Sequence, residues 1–89
     1  MITLFERDTV SDFATWKKAF ADFAPTLKAG GVVASAVYQS VDNPNDITVA
    51  HDFATLAEAK AFIGSHALKA ARPGAGVVDG PTIWFTTKV

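Results

Sequence analysis

The chain has 89 residues, a formal net charge of −1 and no cysteine; 49% of its residues are hydrophobic and 19% are charged. That length makes one domain, residues 1–89, with a thin core of the kind that oligomerisation often supplements. The lack of cysteine excludes disulfides, thiol catalysis and thiolate metal sites. The lack of a basic block argues against nucleic acid, and no apolar run reaches the roughly 18 residues of a membrane span.

The first run, Met1 to Arg7, has the pattern of a strand, with Ile2 and Leu4 on one side and Thr3 and Phe5 on the other. It begins without a basic leader, and a small domain free of disulfides suits the cytosol, so a cytoplasmic location is expected. Asp8 to Ser11 is expected to turn. Ser11 or Asp12 can cap the helix that follows by accepting a bond from a free backbone N–H. Phe13, Trp16, Phe20, Phe23 and Leu27 then recur at three- and four-residue steps, one apolar stripe of an amphipathic helix. Pro25 is expected to bend its last turn, and Ala29-Gly30-Gly31 to end it.

Two strand-like runs follow, Gly31 to Val41 and Asp46 to Phe53, joined by the turn Asp42-Asn43-Pro44-Asn45. The first is apolar on both sides: Val32, Ala34, Ala36 and Tyr38 point one way, Val33, Val37 and Val41 the other. A strand with one wet face alternates apolar and polar, so both sides of this one need a cover. Thr55-Leu56-Ala57-Glu58 fits a capping box at the start of a second helix, whose buried face is expected to carry Leu56, Ala59, Phe62 and Ile63. Gly64 breaks that helix. Ser65 recaps a short piece from His66 to Arg72, which Pro73-Gly74 stops. Val77 to Val89 returns to strand, and Pro81 within it belongs at a strand start or edge because it donates nothing to a ladder.

The order β-α-β-β-α-β is that of a ferredoxin-like α+β fold: a four-stranded antiparallel sheet with two helices on one face. The other face is left bare. A bare apolar face of several hundred Å² is more than a soluble monomer usually exposes, and a homodimer with its sheets face to face would cover it.

The candidate site residues are few. His51 shares a strand face with Ile47, Val49 and Phe53, and its imidazole is either an acid or base near neutral pH or a core histidine bonded to a neighbour. His66 follows the Gly64-Ser65 break and either lines a pocket mouth or is a solvated first-turn residue. Tyr38, between small residues, either borders a ligand or marks sheet-to-sheet contact. Trp16 lies on the buried stripe, which favours core. Trp84 faces a pocket or a partner. Arg72 is either an anion anchor or a cation suited to a helix C-terminus, with the second favoured. No metal site is expected: Asp52 adjoins His51 on a strand, so the two point to opposite faces, and no ligand pair sits at i, i+4 around either histidine.

Several stretches resemble the dimeric α/β-barrel superfamily, which includes antibiotic-biosynthesis-type monooxygenases, stress-responsive barrel proteins and small polyketide cyclases. They are Val10-Ser-Asp-Phe-Ala-Thr-Trp-Lys-Lys-Ala-Phe20, the hairpin from Val37 to Phe53, Ala57-Glu-Ala-Lys-Ala-Phe-Ile-Gly-Ser-His-Ala-Leu-Lys-Ala-Ala71, and Gly76-Val-Val-Asp-Gly-Pro-Thr-Ile-Trp-Phe85. The resemblance covers nearly the whole chain and implies a dimeric α/β barrel. Its haem-degrading members place a histidine ligand where this chain has Arg72 and a tryptophan where it has Phe62, so haem is not expected. Its plant polyketide cyclases use two histidines: His66 lies close to the first, about one residue out of register, and His51 has the strand parity of the second but not its position. Its quinone-forming monooxygenases use no cofactor and hold an aromatic substrate among Asn, Trp, Tyr and Arg, a chemistry that Trp16, Trp84, Tyr38 and Arg72 offer here. The resemblance thus leaves two functions in view. One is a homodimer that binds a small ligand, non-catalytic or stress-related. The other is a cofactor-independent monooxygenase or cyclase acting on a small aromatic molecule, with His51 and His66 catalytic and Phe62 among the binding residues.

Overall fold

The computed structural model describes residues 1–89. The elements are β1 (Ile2–Val10), α1 (Phe13–Asp22), α2 (Ala24–Ala29), β2 (Ala34–Gln39), β3 (Asp46–Phe53), α3 (Leu56–Ile63), α4 (His66–Gly74) and β4 (Val77–Thr87). The strands form one antiparallel sheet in the order β2-β3-β1-β4, the ferredoxin-like arrangement, with the helices on one face.

β2 is shorter at both ends than the run from Gly31 to Val41, and β4 stops at Thr87 short of Val89; three other boundaries differ from expectation, each for a local reason. β1 does not stop at Arg7 but runs to Val10, because the period-two pattern continues: Leu4, Glu6, Asp8 and Val10 all turn to the helix side and are buried. The first helix is two helices. Phe23 ends α1, and Pro25 sits in the first turn of α2, where its missing N–H costs nothing. α4 runs through Pro73 to Gly74, since a proline in the last turn leaves most of the helix ladder intact.

The caps follow the sequence closely. The Asp12 carboxylate accepts from Thr15 N at 2.9 Å, which holds it below the usual carboxylate range. The Thr55 hydroxyl accepts from Glu58 N at 3.2 Å and donates to Glu58 Oε1 at 3.1 Å, a variant of the capping box in which the glutamate meets the hydroxyl. Ser65 Oγ accepts from Leu68 N at 3.2 Å and so starts α4.

The core lies between helices and sheet in two parts. Leu4, Leu27, Phe53, Ala59, Phe62 and Leu68 form one, and Val10, Trp16, Ile47 and Val49 the other. Leu56, expected on the buried face of its helix, is exposed at the helix start. The cross-strand register sorts the rest. Ser35, Val37 and Gln39 pair with His51, Val49 and Ile47 and share their helix-side face. Ala34, Ala36 and Tyr38 therefore lie on the open face with Phe5 and Trp84, whose rings stack at 5.3 Å. Opposite Asp8, β4 carries an irregularity: Arg7 pairs with Thr82 but Thr9 with Asp79, and Gly80 in between has φ +102°. A bulge of this kind bends a strand and changes the aim of its neighbours. Pro81 lies at this irregularity in an edge strand, where no ladder bond is lost.

Candidate functional site

The alternation of β1 places two carboxylates, Glu6 and Asp8, among apolar neighbours under the helices. A buried carboxylate needs a counter-charge or a proton. Glu6 has the first: the Arg72 guanidinium reaches down from α4 and donates through Nη2 to Glu6 Oε1, both side chains being largely buried. The long reach from α4 to β1 explains why a residue suited to a helix C-terminus serves instead as a buried partner.

Asp8 has no such partner. It is 3% exposed, and its Oδ1 is buried without a hydrogen bond. Burial raises its carboxyl from an ordinary 3.8 to about 7; the neighbouring Glu6 adds to the rise and Arg72 opposes it. Asp8 therefore changes charge close to neutral pH.

His51 approaches from β3. It too is 3% exposed, packed edge-on to Phe62 at 5.5 Å and stacked with Phe20 at 6.2 Å. Ser35 Oγ lies 2.8 Å from its Nδ1. Burial lowers its pKa from 6.5 to about 4, with Asp52 opposing weakly from the other face. The imidazole is thus neutral at pH 7, and the group placed to exchange a proton there is Asp8.

These residues share a cavity. Glu6, Asp8, His51 and Arg72 form its polar part; Trp16, Phe20, Phe23, Leu27, Val49 and Leu68 wall it on the apolar side. The enclosed space is about 70 Å³, and about 500 Å³ with the solvent-open mouth included. The smaller figure describes what the walls hold, and it is well below the roughly 300 Å³ of an ordinary ligand pocket. An occupant larger than a few waters must extend into the mouth. A wider, shallower groove beside Lys28, Val33 and Glu58 is bordered by Ser35 but by none of the buried ionisable groups.

Of the residues singled out in sequence, His51, Trp16 and Arg72 line this cavity. Phe62 packs behind His51 in the core. His66, the first residue of α4, is exposed and does not border the cavity. Tyr38 and Trp84 stand on the open face, 57% and 40% exposed, so Tyr38 cannot assist His51 within one protomer. Glu6 and Asp8 were not anticipated. The signal was present: positions 2, 4, 6, 8 and 10 read Ile, Leu, Glu, Asp, Val, so two acids fall in phase with core residues. An expected turn at Asp8 hid it.

No family model and no curated protein matches the sequence. Solved structures do match the fold. A provisionally named antibiotic biosynthesis monooxygenase from Bordetella bronchiseptica is similar at TM-score 0.85 and 20% identity, over 99% of this chain and 96% of that one. A provisionally named protein of the same kind from Caulobacter crescentus gives 0.77 and 22%, over 99% and 89%. SnoaB, a cofactor-independent oxygenase from Streptomyces nogalater, gives 0.80 and 14%, over 99% and 92%. At these identities the likeness is one of fold: the chain has the ferredoxin-like architecture of antibiotic biosynthesis monooxygenase-like proteins.

Proposed function

We propose that this protein binds a small, weakly acidic organic molecule, a phenol or an enol, between helices and sheet, and that Asp8 takes its proton. The observation that carries this reading is a buried carboxyl without a hydrogen-bond partner in the wall of a mostly apolar cavity. A structural carboxylate at such depth is normally paired or fully hydrogen-bonded. A carboxyl poised near neutral pH is suited to general acid–base work. His51, neutral and held by Ser35, offers a hydrogen bond rather than a charge. The name of SnoaB, a cofactor-independent oxygenase on the same fold, supports extending the reading to an enzyme of that kind. In such a reaction an activated CH₂ loses a proton to the base. The resulting carbanion supplies the electrons to O₂, and the carbon ends as a carbonyl with release of water.

A second reading, a non-catalytic binder or stress-related dimer, is favoured by the enclosed volume of about 70 Å³. In either case we propose a homodimer through the open sheet face, in line with its exposed Tyr38 and Trp84. No helix is long and apolar enough to cross a membrane, and a cytoplasmic location belongs to the same proposal.

The test is a difference-absorbance titration with substituted phenols at pH 8, where a bound phenolate is visible. Saturable binding that Asp8→Asn weakens at least tenfold is expected. Binding that Asp8→Asn leaves unaltered would remove Asp8 from the site. Oxygen uptake with the bound compounds separates the enzyme from the binder.

A further inference from the structure

Asp79 and Gly80 form the only Asp-Gly pair in the chain, and no asparagine precedes a glycine. A glycine nitrogen can attack the side-chain carboxyl before it, because no Cβ obstructs closure of the five-membered ring. The other aspartates are followed by Thr9, Phe13, Phe23, Asn43, Ile47 and Phe53, each with a side chain. The fold sets this one pair up for the reaction. Both residues are exposed. Gly80 N donates to Asp79 Oδ1 at 2.9 Å, so the nitrogen is held against the carboxyl it would attack. The pairing of β1 with β4 passes from Arg7–Thr82 to Thr9–Asp79, which leaves Gly80 outside the regular ladder. At Asp12, by contrast, the following nitrogen is turned away, with Phe13 N bonded to Asn45 Oδ1. A cleft of about 290 Å³ with no apolar residue in its wall opens beside Asp79, Gly80 and Thr82, so water has access.

We propose that Asp79-Gly80 is a self-modification site, where isoaspartate forms and the lengthened backbone displaces the Asp8 carboxyl. Gly80 N bonds to Asp79 Cγ, and the carboxyl hydroxyl leaves with the amide proton as water, giving a succinimide. A second water then opens the ring. Cleavage between Gly80 N and Cγ restores aspartate. Cleavage between Gly80 N and the Asp79 backbone carbonyl carbon leaves the chain running through Cγ and frees the former carbonyl as a carboxylate. The product carries one more CH₂ in the backbone, and the bulge has no room for it. A Cβ on Gly80 would already stand 2.9 Å from the Arg7 carbonyl oxygen and 3.1 Å from Asp8 Oδ1. Asp79 and Thr82 are pinned opposite Thr9 and Arg7, so the added length pushes on β1 at Asp8. A change at an exposed strand edge thus reaches a carboxyl buried under the helices. This inference does not depend on what the cavity binds.

The test keeps the full-length protein at pH 6 in ¹⁸O-labelled water, folded or in urea. Peptide mass mapping with an aspartate-specific protease follows, since isoaspartate resists that cleavage and each ring opening adds one heavy oxygen. Label and isoaspartate should collect at Asp79 at least about tenfold faster than at any other aspartate, and no slower in the folded chain than in urea. Asp79→Glu keeps the charge but would need a six-membered ring, and it should stay unlabelled at that position. In the aged protein the carbon-13 signal of the Asp8 carboxyl should gain a second resonance with its own titration midpoint, in proportion to the isoaspartate. The aged Asp79→Glu protein should keep one. Slower labelling of Asp79 in the folded chain than in urea would mean that the fold protects the pair, and it overturns the proposal. Isoaspartate accompanied by a single, unmoved Asp8 signal overturns the coupling to the buried carboxyl.

Discussion

Replacing Asp8 by Asn tests the energetics of the site without altering its shape. The amide matches the protonated carboxyl and cannot ionise. In the folded chain the Asp8 pKa is raised from 3.8 to about 7 by burial, then by Glu6, against the pull of Arg72. A carboxyl raised on folding stabilises the fold below its unfolded pKa, and that contribution is lost as pH rises through the folded value. The window is therefore pH 4 to 7. About three pH units at about 1.4 kcal/mol each give about 4 kcal/mol, and screening by solvent at the cavity mouth brings this to about 2 kcal/mol. His51 works in the opposite direction. Its pKa falls from 6.5 to about 4, so its contribution is present above pH 6.5 and lost as pH drops towards 4. The two slopes partly cancel in the wild type, whose stability should rise by only about 1 kcal/mol between pH 4 and 6.5. In Asp8→Asn the His51 slope is left alone, and stability should climb by up to about 3 kcal/mol over that interval. Urea denaturation of both proteins at pH 4, 5, 6, 7 and 8, followed by tryptophan fluorescence, reads the difference directly. The variant should gain about 2 kcal/mol on the wild type between pH 4 and pH 8. A difference that stays flat across that range would refute the burial argument for Asp8.

Gly80→Ala should destabilise by about 1–3 kcal/mol: its φ of +102° is strained for alanine, and a Cβ there would lie 2.9 Å from the Arg7 carbonyl and 3.1 Å from Asp8 Oδ1. The same substitution should shift the Asp8 titration, because the bulge packs against its carboxyl; an unshifted titration would detach the bulge from the site. Ser35→Ala removes the 2.8 Å partner of His51 Nδ1 and should cost about 1–2 kcal/mol in denaturant midpoint analysis; no loss would mean that water replaces the hydroxyl. Phe62→Ala should cost about 3–5 kcal/mol and raise the His51 pKa, since Phe62 packs on both Phe53 and His51. A histidine NMR titration that stays near 4 in that variant would contradict the assignment of the low value to burial.

The element order was legible because the signals for it are local. Apolar periodicity, the caps at Asp12, Thr55 and Ser65, and the Asp42–Asn45 turn each act within a few residues of themselves. The faces of β2 were not legible. Val37 and Tyr38 are both apolar enough to bury, and only pairing with β3 decides that Val37 goes with Val49 and Tyr38 with Thr48. The polar site was the hardest part to foresee. Arg72 and Glu6 are 66 positions apart, and sequence spacing carries no sign of their meeting. Asp8 was misplaced because Asp favours turns, a local preference that the long pairing of β1 with β3 overrides. His51 was singled out for the right reason, a histidine on a core face. The same burial that drew attention to it holds it neutral, and so passes the proton-exchanging role to Asp8.

The proposed chemistry stands on one carboxyl. Carbon-13 labelling of the aspartates and an NMR titration of the Asp8 carboxyl carbon from pH 3 to pH 9 measures it directly, with Asp8→Asn assigning the resonance. A midpoint near 7, moved by a bound phenol, is the predicted result. A midpoint near 4, unmoved by any ligand, would show an ordinary hydrated carboxylate and contradict the proposal at its centre.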